Sequence, residues 1–169
     1  MTDATAASQE LPTGLLWGLK ASFLQYLSRL PDAKHSVDRG AVLGSEGRLL
    51  FPTDSLADYD AEIGTGTLRF AGDVRFPGHF GALFLMLVDP WVTITEGGAT
   101  LSIADPATYP ALDRRLTLLD LEPRPWVEHL GARLYPPMTA TLRAEGVPLF
   151  NDVYQAGEPF DPVNLRVVV

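Results

Sequence analysis

Tyr26 and His79 are the two side chains whose type and setting could support chemistry. Tyr26 ends a line of residues four apart, Gly14, Gly18, Ser22 and Tyr26. On a helix such residues fall along one slowly drifting side. Three of the four are very small. A glycine inside a helix costs about 1 kcal/mol relative to alanine, so Gly18 must bring a compensating gain. Either another backbone approaches closely, or the strip leaves room for a flat ligand with the Tyr26 phenol at its end. In the first case Tyr26 is simply a tyrosine at the edge of the core. His79 lies in Gly72-Asp-Val-Arg-Phe-Pro-Gly-His-Phe-Gly81, between two glycines and beside Phe80. Glycines there let the chain turn and let a neighbour come close. An imidazole so placed serves as a ligand, a general base or a donor to another ligand; it serves equally as a structural loop histidine. His35, in a polar loop, and His129, in a proline-rich stretch, carry no assignable role.

Much other chemistry is excluded. The chain has no cysteine, which removes thiolate metal sites, Cys-ligated haem and disulfides together. It has no G-x-S-x-G, no phosphate-binding P-loop, no G-x-G-x-x-G in a βαβ setting and no H-E-x-x-H, so an enzyme is not expected. Asp54, Asp58, Asp60 and Glu62 cluster but lack the glycine and spacing of a calcium loop, and read as a solvated turn. The 13 Lys and Arg against 21 Asp and Glu leave a net charge of -8. Such a chain repels phosphate backbones, so nucleic acid is not an expected partner. The first residues form neither a basic n-region nor an apolar h-region, and the longest apolar runs, such as residues 82–88, are too short to span a bilayer. The expectation is a cytoplasmic protein as the chain stands, or an exported one had a leader been removed.

Positioning Tyr26 and His79 falls to a small set of elements. The length of 169 residues suits one domain, with residues 1–12 as a flexible tail and 13–169 as the domain. Leu15, Leu19, Phe23, Leu27 and Leu30 recur at helical spacing after a candidate N-cap at Thr13, and Pro31 ends the run. Beyond it the chain punctuates like a β protein. Strands are expected over residues 47–51, 66–70, 74–76, 82–88, 91–95, 99–103, 116–121, 140–143 and 165–169, with turn chemistry between them. Residues 104–115 and 122–138 read as irregular. With 15 glycines and 14 prolines so spaced, the fold class is mainly β. We expect an antiparallel β-sandwich or barrel-like sheets, one N-terminal α-helix, and short additional helix or turn elements.

Taken together, four ordered blocks resemble the HtaA domain family. They are Leu16-Trp-Gly-Leu-Lys-Ala-Ser-Phe-Leu-Gln-Tyr26, the Gly72–Gly81 stretch, and the apolar strand, Asp89-Pro90 turn and next strand over residues 83–94. The last comprises Leu142-Arg-Ala-Glu-Gly146 with Phe150, Tyr154, Gly157 and Asp161-Pro162. The resemblance implies a domain that binds ferric haem b for transport, trafficking or storage. It further implies that Tyr26 is the axial iron ligand, that His79 hydrogen-bonds the ligating oxygen, and that Ser22 lies near a propionate. Gly18 and Phe80 would border the porphyrin, with Trp17, Phe23 and Phe150 as further candidate walls. A protein that donates or accepts haem is the implied partner, and a homodimer is compatible with it. A cofactor-free interaction domain and a haem enzyme with a tyrosinate ligand are the alternative readings.

Overall fold

The computed structural model describes residues 12–32, 34–44, 47–78 and 83–169. His79 and Phe80 lie outside them. The chain opens with strand β1 (Gly14–Trp17) and then helix α1 (Ala21–Ser28). The single long helix expected from the leucine spacing is therefore two elements. Leu15 and Trp17 alternate inward on a strand paired on both sides, to β4 (Leu49–Phe51) and to β14 (Pro159–Val167). Leu19 turns the chain at φ 60°, and Phe23 and Leu27 form the buried face of α1. All five of these side chains are buried, so the apolar spacing marks the core correctly. It does not mark the conformation, because two flanking strands outweigh a weak local preference.

The remaining strands are β2 (Ser36–Asp38), β3 (Val42–Leu43), β5 (Thr53–Asp60), β6 (Thr65–Phe70), β7 (Asp73–Gly78), β8 (Leu83–Val88), β9 (Trp91–Thr95), β10 (Gly98–Ala104), β11 (Arg115–Glu122), β12 (Val127–His129) and β13 (Ala132–Leu142). Among the described residues the large sheet runs β3-β4-β1-β14-β13-β11-β10-β9-β6-β5, with β12 on β13, and the small one runs β2-β7-β8. Every pairing is antiparallel. The mainly β, antiparallel class is as expected. Pro52 alone separates β4 from β5, which stand near opposite ends of the large sheet, so the sheet curls until those ends approach. Val74, Phe76, Leu85 and Leu87 of the small sheet join the same core as Leu15, Leu68, Leu101 and Leu165 of the large one.

Two other expectations need correction. The acidic cluster is not a turn: Asp54, Asp58 and Asp60 lie on β5. Asp58 pairs with Arg69 at 2.6 Å, and the Asp60 carboxylate accepts the backbone N–H groups of Glu62 and Ile63. The stretch expected to be irregular, 122–138, contains β12 and most of β13. Pro136 and Pro137 sit in β13 where its pairing with β14 is interrupted, between Tyr135 and Met138. Proline is tolerated at such a break because no ladder N–H is missed.

Candidate functional site

Eight residues of helix are too few to be stable alone; α1 is held by its buried face. Phe23 meets Phe76 of β7 edge-on at 6.2 Å and Phe150 at 5.5 Å. Phe150 closes a 3-10 helix (Ala144–Phe150) and touches Tyr154 at 5.7 Å and Phe160 at 5.1 Å. Tyr154 and Phe160 are themselves 5.7 Å apart. A continuous aromatic chain thus runs from the small sheet, under α1, to the start of β14. Such edge-to-face pairs add about 0.5–1.5 kcal/mol each beyond the area they bury.

The exposed face of α1 looks out beside this chain. Tyr26 is 42% exposed and lines a recess of about 250 Å³ with Phe23, Phe150, Asn151, Val153 and Tyr154. Asn151 and Asp152 both take left-handed backbone, at φ 53° and 58°. Two such residues in succession are strained, a condition that clusters at ligand-binding segments. They carry Val153 outward, 68% exposed, at the rim. Ser22, one turn before Tyr26, places its hydroxyl 3.4 Å from that of Tyr154. The site therefore offers a phenol, an apolar aromatic floor and a pair of hydroxyl groups. The hard oxygen donor suits a hard, highly charged cation, and the floor suits a flat apolar ring.

Ser22 and Tyr26 come together as expected, but Gly18 does not join them. It lies in the link between β1 and α1, buried, and a methyl group there would meet the Asp161 carboxylate at 2.4 Å. The line Gly14, Gly18, Ser22, Tyr26 is not one helix face. Gly14 is in a strand at φ 132° and Gly18 makes room for Asp161. Gly18 borders a separate cleft of about 520 Å³ behind α1, on the side of Ala21, Leu24 and Ser28. Of the candidate walls, Phe23 and Phe150 are in place. Trp17 is not: it is buried, and its ring N–H donates to the Asp161 carbonyl at 3.0 Å. β7 ends at Gly78, two residues past the buried Phe76 whose ring meets Phe23 of α1, and His79 lies outside the described residues. His35 lines the cleft behind α1, and His129 is exposed on β12. Among the described residues, no three histidine or acidic side chains group to hold a metal ion, and no helix is long and apolar enough to cross a membrane.

Spacing alone did not reveal Asn151, Val153 or Lys20. Lys20 immediately precedes α1, and its ammonium lies 5.0 Å from the Tyr154 ring centre and 5.2 Å from that of Phe160.

The comparisons with known proteins agree on the fold. The C-terminal domain of HtaA from Corynebacterium glutamicum superposes with a TM-score of 0.71 at 20% identity, over 94% of this chain and 98% of that one. The N-terminal domain of the same protein gives 0.68 at 20% identity, over 92% and 96%. The haem-binding protein HtaB from C. glutamicum gives 0.62 at 16% identity, over 91% of each. No curated protein matches the chain by sequence. The family model described as HtaA matches residues 13–166, and the chain belongs to the HtaA family.

Proposed function

We propose that this domain binds ferric haem b and does not act as an enzyme, with Tyr26 as the axial iron ligand. The observation that carries the reading is the half-exposed phenol of Tyr26 at the edge of a recess floored by Phe23, Phe150 and Tyr154. A free phenol titrates near pH 10, and ferric iron favours its phenolate, as metal ions do for coordinated groups generally. His79 donates a hydrogen bond to the ligating oxygen, which orients the ring and takes up part of its charge. Phe80 lies against the porphyrin beside it. The hydroxyl groups of Ser22 and Tyr154, 3.4 Å apart, receive a propionate carboxylate. Membership in the HtaA family and the likeness to the haem-binding protein HtaB support this reading. Haem held at an open recess can be exchanged, so the partner is a protein that donates or accepts haem.

The experiment is a titration of the purified domain with hemin, followed in the Soret region. The expected result is saturation at one equivalent, with a ferric spectrum distinct from that of free hemin. A featureless, non-saturating titration would leave the domain a cofactor-free interaction module.

A further inference from the structure

Lys20 occupies an unusual place for a lysine. Its side chain is only 16% exposed, although lysine heads ordinarily reach water. The ammonium donates to the Pro159 carbonyl at 2.7 Å and lies 3.8 Å from the Glu158 carboxylate. It also stands over two aromatic rings, Tyr154 and Phe160. The attraction of a cation for a ring face is strongest where water is kept away, and this one is largely covered.

We infer that Lys20 is a positioning residue: it fixes Tyr154, and so the recess wall opposite Tyr26, and thereby sets how long haem is retained. The inference rests on the haem-binding reading above. The geometry favours Tyr154 as the route. The backbone before Tyr154 is tied to the 3-10 helix by the N–H groups of Asn151, Asp152 and Val153, which donate to the carbonyls of Pro148, Val147 and Phe150, so what remains to be fixed is the Tyr154 side chain. Its ring is held by Phe150, Phe160 and the Lys20 ammonium. Its hydroxyl reaches Ser22 on α1. Lys20 is also the residue whose carbonyl accepts the first helical N–H groups, from Phe23 and Leu24. One residue thus ties the start of α1, which carries Ser22 and Tyr26, to the segment that faces them. Its backbone part survives substitution; the side-chain part is what a variant removes.

The test compares hemin loss to excess apomyoglobin in native protein, Lys20→Met, Lys20→Arg, Tyr154→Leu and the Lys20→Met/Tyr154→Leu double variant. Met keeps the apolar stem and removes the charge. Lys20→Met should release hemin about three- to tenfold faster, the range of one partly desolvated cation–ring contact, with the bound ferric spectrum unchanged. Lys20→Arg should restore slow release. In the Tyr154→Leu background, Lys20→Met should add little, because the ring through which it acts is gone. Far-UV circular dichroism of each unloaded variant identifies any loss of fold, and Lys20→Arg then carries the comparison. Native release from Lys20→Met, or an equal acceleration with and without Tyr154, would overturn the inference while leaving the haem site intact. Failure of the native protein to take up hemin would overturn both.

Discussion

At the scale of single residues, the proposed haem site separates a ligand from the group that supports it. In the proposed site Tyr26 would supply an oxygen that must lose its proton to bind ferric iron, and His79, outside the described residues, would supply a neutral N–H to that oxygen. The two roles predict different losses. His79→Ala should still take up hemin, with an altered spectrum and release faster by about 10- to 100-fold, the usual cost of removing a partner of a metal ligand. Stopped-flow transfer to apomyoglobin measures it. An effect as complete as removal of the Tyr26 phenol would make His79 a direct ligand instead. The types and neighbours of these residues were legible in the sequence, since Tyr26 and Ser22 share one turn of helix and His79 stands between glycines. Tyr154 was legible only through the family likeness, and Val153 was not legible at all. Their place at the recess depends on Asn151 and Asp152 at positive φ, residue types that favour such a turn but do not say where it aims the chain.

At the scale of elements, the instructive case is the segment from Gly14 to Ser28. Leucines at a spacing of four fit a helix, and Leu15 with Trp17 fits a strand equally well. The sequence contains both signals, and long-range pairing to β14 and β4 decides between them. The consequence falls on Gly18. On a continuous helix it would clear space for a porphyrin; in the link it clears space for Asp161. Gly18→Ala should therefore leave hemin affinity unchanged. It should lower stability by about 1–3 kcal/mol, as overpacking does, and toward the low end, since the Asp161 carboxylate can swing aside. Urea denaturation and a hemin titration on the same variant check both halves. A tenfold loss of affinity with unchanged stability would return Gly18 to the porphyrin surface. The acidic strand β5 was obscured for a related reason. Its charges are unusual for a strand, yet it is a terminal strand of the large sheet, and Asp58 is satisfied there by Arg69.

At the scale of the whole molecule, the curled sheet needs ties between strands that are not neighbours. Tyr59 of β5 and Tyr135 of β13 share a hydrogen bond in the buried interior. Arg133 donates to the Tyr59 oxygen at 2.9 Å and to the Ala61 carbonyl at 2.6 Å, with its guanidinium 4.1 Å from the centre of the Trp126 ring. Burial and the Tyr59 hydroxyl hold the Tyr135 phenol well above the usual tyrosine range, so it stays neutral. None of these residues lines the recess. Arg133→Met should cost about 1–3 kcal/mol, since it leaves buried oxygens without a donor, and should not change the hemin-bound spectrum. Chemical denaturation followed by circular dichroism gives the first, and absorption spectroscopy the second. The molecule thus keeps its structural polar network apart from the recess, and the central claim rests on one oxygen. Its most direct measurement is the visible and resonance Raman spectrum of hemin-loaded protein, native against Tyr26→Phe. The account predicts a high-spin ferric tyrosinate signature in the native protein. In Tyr26→Phe that signature should be lost and affinity should fall at least about tenfold, near 1.4 kcal/mol. An unchanged spectrum and affinity in Tyr26→Phe would contradict it.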